Sequence, residues 1–204
     1  MALRDPDVPS ELEEARWQAW KALETPEGFR TEIVEGFIEV WRTGHLAQAG
    51  RANRLRDALS LHLTGTPYVP YQCMYVVHRR NVWMPDVLIA LRDTDEDDVQ
   101  DDIGIRASAV PVIAEVVAPD QDGITRDRDR KRRAYARAGI PVYVLLDTYD
   151  RRGTVTVFTT PCPGEADYAA GHRVPYGTDI TIPEGPAKGF VIDASITGPQ
   201  RNDT

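Results

Sequence analysis

The chain has 204 residues, 42% hydrophobic and 27% charged, with a formal net charge of −8 and two cysteines. This is the make-up of one ordinary soluble globular domain, and the acidic balance argues against a nucleic-acid coat protein. Apolar runs such as Val142–Leu146 are far too short to span a bilayer, and Cys73 and Cys162 make neither a disulfide framework nor a zinc site.

Met1-Ala2-Leu3-Arg4-Asp5 lacks the apolar core of a signal peptide, so a cytoplasmic location with free thiols is expected. Ser10 and Glu13 have the spacing of a capping box, which predicts a helix to about Leu23 with Trp17 and Trp20 on one face. Phe29–Val34 and Phe37–Trp41 read as a hairpin turning at Glu35-Gly36. His45–Leu63 reads as a helix, with Leu46, Ala49, Leu55, Leu59 and Leu63 near helical spacing. Three β-prone runs follow: Tyr68–Val77, Asn81–Leu91 and Pro111–Ala118. A helix from about Thr125 to Ala138 should stop at Gly139, since Pro141 forbids its continuation. Strands Val142–Asp147 and Thr154–Thr159 come next. Beyond Pro161, recurrent Gly and Pro predict short strands with turns, ending at Phe190–Ile192. The order predicts a mixed α/β structure with one central β-sheet flanked by helices. The expected divisions are an N-terminal helical extension over 1–28, a main domain over 29–196 and a flexible tail over 197–204.

Charge is uneven along the chain. Seven acids fall within 93–102, and seven bases fall within 126–137 against Asp127 and Asp129. The acidic run reads as a solvated loop or short helix. The basic run can steer a phosphate backbone despite the acidic total, and Arg126, Arg128 and Arg130 are its candidate nucleic-acid contacts.

Two acids sit where charge is costly. Strand alternation puts Ile113, Glu115 and Val117 on one face and Val112, Ala114, Val116 and Ala118 on the other. Both faces are apolar, so the strand should be covered on both sides, with Glu115 in a dry layer. Asp86 is the one charge in Val82–Leu91, and Pro85 before it predicts a bulge or edge that aims it. On the following helix, Lys131 shares a side with Ala134 and Tyr135, and Asp127 lies one turn before it. Two carboxylates and a lysine suit Mg²⁺-assisted phosphodiester chemistry. The plainer alternative is that these are strand-end charges and one base among seven. His62, His78 and His172 show no ligand spacing.

The set resembles the PD-(D/E)xK nuclease superfamily, and more closely its Uma-two family of restriction-endonuclease-like proteins. The resemblance runs from about residue 30 to 196. It rests on Thr31-Glu32-Ile33-Val34-Glu35-Gly36, His45 ahead of a helix, Pro85-Asp86-Val87, Ala114-Glu115-Val116-Val117-Ala118-Pro119, and Asp127, Lys131 and Tyr135 leading to Gly139-Ile140-Pro141-Val142-Tyr143-Val144. Val117 stands where the superfamily has a lysine, and Lys131 on the helix fits the displaced position.

The resemblance implies a restriction-endonuclease-like fold and a Mg²⁺-dependent DNA endonuclease, with Mn²⁺ as a substitute and a homodimer as an open option. Asp86 and Glu115 would bind the metal with the Val116 carbonyl, and Lys131 would contact phosphate or water. Glu32, Glu35, His45, Asp127 and Tyr135 are auxiliary candidates. Two other readings stay open: a nuclease-fold protein that binds nucleic acid or a protein partner without cleaving, and an unrelated hydrolase using Asp86 and Glu115 as an acid/base pair.

Overall fold

The structure, a computed structural model, describes residues 9–42, 46–118 and 121–199. His45 and the Pro119-Asp120 part of the motif after Glu115 lie outside the described residues. The first helix, α1 (Glu11–Lys21), opens on the expected capping box: Ser10 Oγ accepts from Glu13 N at 3.1 Å and Ser10 N donates to Glu13 at 2.6 Å. Its Trp17 and Trp20 are buried against Ile33, Val77 and Val82, so α1 is packed onto the strands that follow it.

Strands β1 (Phe29–Val34) and β2 (Phe37–Arg42) form the expected antiparallel hairpin. Helix α2 (Leu46–His62) follows. Its buried residues are Ala52, Leu55 and Leu59, with Leu63 just beyond, while Leu46 is 86% exposed. The inward stripe is therefore 52, 55, 59 and 63, and Leu46 and Ala49 of the predicted stripe point away from the core.

Each of the first two β-prone runs splits. Tyr68–Val77 gives β3 (Tyr68–Tyr71) and β4 (Val76–His78), and Asn81–Leu91 gives β5 (Asn81–Trp83) and β6 (Val87–Leu91). The acidic segment makes a short 3₁₀ turn, Glu96–Asp98, before β7 (Val99–Gln100) and β8 (Gly104–Arg106). Then come β9 (Val112–Val116), α3 (Gln121–Thr125), a π-helical turn (Arg126–Lys131) and α4 (Arg132–Arg137). The helix starts before Thr125, ends where expected, and has Gly139 in the left-handed region at φ +74°. The chain closes with β10 (Val142–Asp147), β11 (Thr154–Cys162), β12 (Asp167–Pro175), β13 (Ile180–Thr181), β14 (Val191–Ile192) and α5 (Ala194–Thr197).

Two six-stranded sheets result, not the single sheet expected. The main one runs β12-β11-β10-β9-β6-β3, with β9 and β10 parallel and the other neighbours antiparallel. The second runs β2-β1-β5-β4-β8-β7, with β4 and β8 parallel. Residues 161–175 also depart from expectation, because β12 is nine residues long. Its side chains are mostly exposed, which leaves no alternation to read, and Gly171 makes room for the Phe158 ring beside it.

Strand β9 is central and covered on both faces, as its alternation requires. Val112, Ala114 and Val116 pack with α2 residues Ala52, Leu55 and Leu59, and Ile113 and Val117 pack with Ala134 and Tyr135 of α4. Among the described residues no helix is long and apolar enough to cross a membrane.

Candidate active site

Asp86 lies where the chain leaves the second sheet and enters the main one. Strand β5 ends at Trp83 and β6 begins at Val87, so Met84-Pro85-Asp86 is the crossing. Pro85 brings no N–H to a ladder, which suits a break between sheets. Glu115 stands beside it in β9, and Asp86 N faces Glu115 Oε2 at 3.4 Å. The Asp86 carboxylate is 11% exposed and accepts from Val116 N at 2.8 Å. Glu115 is fully buried.

Lys131 reaches this layer from the helix, as its side of the helix requires. Its Nζ lies 2.8 Å from Glu115 Oε1 and 2.9 Å from Glu32 Oε1, with no exposed surface. Tyr135 OH donates to the same Glu115 oxygen at 2.5 Å. Glu115 Oε1 is thus held by two donors, and Oε2 is the oxygen turned toward Asp86. Glu32 Oε1 also accepts from Met84 N at 2.6 Å, which ties β1 to the crossing that carries Asp86. Glu32 Oε2 is buried and has no hydrogen-bond partner among the described residues.

The electrostatics follow from this enclosure. Burial is the largest influence on Glu115; it raises the pKa, Lys131 opposes it, and the negative Asp86, Asp127 and Glu32 add to it, leaving Glu115 at about 7. Burial also raises Glu32, but Lys131, Arg30, Arg126 and the Met84 N–H outweigh it and hold Glu32 at about 2. Burial lowers Lys131, yet Glu115 and Glu32 more than compensate, so its pKa is raised and it stays an ammonium. Four carboxylates (Glu32, Asp86, Glu115, Asp127) face three cations (Arg30, Arg126, Lys131), an excess of one negative charge once Glu115 is ionised.

The remaining sequence candidates are placed differently. Asp127 is fully buried, paired with Arg126 (2.8 and 3.2 Å) and accepting from Ala118 N at 3.3 Å, not from Lys131. Glu35 turns away from the cluster and is gripped by Arg133 (2.8 and 2.6 Å) and Arg137 (2.7 Å) of α4.

The three arginines expected to meet nucleic acid are engaged within the protein. Arg126 is 2% exposed and lies 3.9 Å from the Trp41 ring centroid in addition to its Asp127 pair. Arg128 forks onto buried Asp147 at 2.5 and 3.1 Å. Arg130 pairs with Glu39 and donates to the Val34 carbonyl at 2.9 Å. Lys131, for its part, is enclosed between two carboxylates, which leaves its Nζ no open path to a phosphate.

Two residues at the site were not singled out from the sequence. Arg30 shares the inward face of β1 with Glu32 and sits 3.8 Å from Asp86 Oδ1. Gln48 of α2 donates to Val116 O at 2.8 Å and lies 3.2 and 3.4 Å from the two Asp86 carboxylate oxygens. The signals were present: charges at 30 and 32 alternate on one strand face, and 48 extends the inward 52–55–59 stripe by one turn. A cavity of about 240 Å³ opens in front of Asp86, lined by Arg30, Arg42, Gln48, Asn53, Met84 and Asp86 among others. Another of about 210 Å³ flanks Gln48 and Val116 on the side of Arg51 and Tyr149.

Among the described residues no three His, Cys, Asp or Glu side chains are grouped to hold a metal. The oxygens on hand are those of Asp86, of Glu115, whose Oε2 is 3.4 Å from Asp86 N, and of the Val116 carbonyl, joined to the Asp86 carboxylate through Gln48 Nε2. These are hard oxygens of the kind Mg²⁺ takes, and Mg²⁺ normally keeps several waters. The N–H donors of Gln48 already span Asp86 and Val116 O, so positive character is accommodated there. The residues therefore fit the metal that the sequence led us to expect.

Fold and site together define a mixed α/β protein in which two sheets and a helix converge on a buried acid–lysine cluster. The chain belongs to the Uma2 family, described as "Putative restriction endonuclease", whose pattern matches residues 17–195. In fold it is similar to the crystal structure of "a putative nuclease belonging to DUF820 from Anabaena variabilis", with a TM-score of 0.67 and 13% identity over 89% of this chain and 96% of that one. No curated protein matches the chain. The restriction-endonuclease-like fold read from the sequence is thus the one found, with a second sheet added to it.

Proposed function

We propose that the protein is a Mg²⁺-dependent endonuclease that hydrolyses phosphodiester bonds of DNA in the cytoplasm, with Mn²⁺ as a substitute. The observation that carries this reading is that Glu115 Oε2 lies 3.4 Å from Asp86 N while Gln48 Nε2 links the Asp86 carboxylate to Val116 O, beside a cavity that holds two arginines. The family description supports nuclease chemistry at the coarser level.

Asp86, Glu115 and the Val116 carbonyl would hold the cation. When bound, it supplies Lewis acidity toward a phosphoryl oxygen and toward water. Lys131 and Tyr135 restrain Oε1 of Glu115, so that Oε2 faces Asp86. Lys131 acts here as a positioning residue: its buried positive charge favours the ionised form of Glu115 and fixes its orientation. Glu32 holds Lys131 and the Met84 N–H together, which sets the bend carrying Asp86. Arg30 and Arg42 line the cavity before Asp86 and would donate to the non-bridging oxygens of a phosphodiester. The local excess of one negative charge leaves room for a divalent cation together with one phosphodiester anion.

The test is nicking of supercoiled plasmid with Mg²⁺ or Mn²⁺. The wild type should produce open-circle and linear DNA. Asp86→Ala and Glu115→Gln should lower the rate by about 100-fold or more, as removal of a principal electrostatic group does. No cleavage with either metal, or equal cleavage by Asp86→Ala, refutes the proposal. Salt-dependent DNA binding without cleavage would favour a binding protein that keeps the fold.

A further inference from the structure

Gln48 has an arrangement that neither the family nor the chemistry above assigns. Its Nε2 stands 2.8 Å from Val116 O, 3.2 Å from Asp86 Oδ2 and 3.4 Å from Asp86 Oδ1. Three acceptor oxygens around one nitrogen fix which end of the amide faces inward, because Oε1 in that place would meet only lone pairs. The same three oxygens include two of the three protein groups proposed to hold the cation. The amide nitrogen thus occupies the ground between them and serves as their neutral partner.

A side-chain amide is neutral at every working pH and offers a donor at one end and a hard acceptor at the other. A half-turn about its last bond exchanges the two without moving the helix. Cavities lie on both flanks of Gln48, about 240 Å³ toward Arg30 and about 210 Å³ toward Tyr149. The planar group therefore has space on either side for that turn. Beneath it, Ala52 and Leu55 pack α2 into the core beside β9, so the stem of Gln48 is held in place.

Resting on the metal-dependent reading above, we infer that Gln48 is a two-position residue of the metal site. Its amide N–H groups bridge Asp86 and Val116 O in the free protein, and its Oε1 turns inward as a further oxygen ligand when a divalent cation enters. The protein then supplies oxygens from Asp86, Glu115, Val116 and Gln48. This places a helix residue, far from both strands in sequence, among those that set cation affinity.

Calorimetric titration of the full chain with Mn²⁺ tests this directly, without reference to cleavage. The wild type should bind Mn²⁺, and Gln48→Ala and Gln48→Leu should each weaken binding by about 10-fold or more, the scale of losing a group that orders a metal site. Gln48→Glu, which presents a charged oxygen, should tighten it. If Gln48→Ala or Gln48→Leu binds as well as or better than the wild type, Gln48 merely competes with the cation and the inference falls, while the metal-dependent reading stands. If the wild type binds no Mn²⁺, both fall together. Where a variant does not fold, Mg²⁺ titration of the wild type followed by the Gln48 side-chain ¹⁵N–¹H₂ resonance decides. That resonance should move with bound Mg²⁺ as the N–H groups leave their acceptors, and an unmoved resonance overturns the inference.

Discussion

Replacing Glu32 with glutamine tests the buried charge cluster through its pH dependence. Glu32 is fully buried, 2.9 Å from Lys131 Nζ and 2.6 Å from Met84 N. Its pKa is lowered from 4.5 to about 2, because Lys131, Arg30, Arg126 and the Met84 N–H outweigh the opposing effect of burial. A carboxylate depressed in the folded state contributes stability that is fully present above its unfolded value of 4.5 and is lost as pH falls toward 2. The gap spans about 2.5 on the pH scale, which at ~1.4 kcal/mol per pH unit is about 3.5 kcal/mol. Glutamine keeps an oxygen for Met84 N and Lys131 but has no charge, so at pH 7 Glu32→Gln should be less stable by up to about 3.5 kcal/mol, on the linkage argument just given. Glu115 works in the opposite sense: raised to about 7, it makes the fold lose stability as pH rises from 4.5 to 7. It does not cancel in the difference between the two chains, because Glu32 is among the charges that raise it: without that charge Glu115 ionises more readily, which offsets part of the loss near neutral pH. Urea unfolding followed by tryptophan fluorescence at several pH values between 7 and 3 gives that difference. It should shrink steadily below the unfolded carboxylate pKa. A difference that stays constant across the range, or is absent at neutral pH, refutes the assignment of Glu32 as an ionised partner of Lys131.

Arg126→Ala should destabilise the fold by about 3–5 kcal/mol in the same urea assay, since it leaves Asp127 buried and without its guanidinium. Arg126→Lys should recover only part of this, because a lysine can neither fork onto a carboxylate nor lie flat on Trp41. Arg42→Ala, at an exposed position in the cavity before Asp86, should leave stability within about 0.5 kcal/mol. It should weaken DNA binding and reduce the salt dependence of that binding by about one phosphate contact, read by fluorescence anisotropy across salt concentrations.

Much of the site was legible because strand alternation is a strict rule. Placing Ile113, Glu115 and Val117 on one face needed only the period of two and the absence of any other charge in the run, and both faces of β9 are covered as that requires. The hairpin at Glu35-Gly36, the capping box at Ser10 and the stop at Gly139 were legible for similar reasons, each being fixed by chemistry local in sequence. The second sheet was not, because β4, β5, β7 and β8 are two or three residues long and too short to show a period. Gln48 was hidden for a different reason. A polar residue on the inward stripe reads as noise until Asp86 and Val116 O, which are distant in sequence, are brought around it.

Arg126 shows how a small change of helical register redistributes function. At 3.6 residues per turn, residues five apart point about 140° away from each other, so an α-helical reading that turns Lys131 inward turns Arg126 outward. The turn from Arg126 to Lys131 is instead π-helical, and its hydrogen bonds join residues five apart. Arg126 and Lys131 then stack on one face with Asp127 beside them, and all three are buried. The register change has a chemical consequence. With Arg126 inside, Asp127 has a partner of its own and does not compete with Glu32 and Glu115 for Lys131, whose Nζ can bridge those two carboxylates. Tyr143 OH holds the turn to β10 by donating to the Asp127 carbonyl at 2.7 Å. The basic run is thereby divided: Arg126 and Lys131 sustain the buried acids, and Arg128, Arg130, Arg132, Arg133 and Arg137 pair with Asp147, Glu39, Asp167 and Glu35. On the reading proposed above, Arg30 and Arg42, which line the Asp86 cavity, are the phosphate contacts.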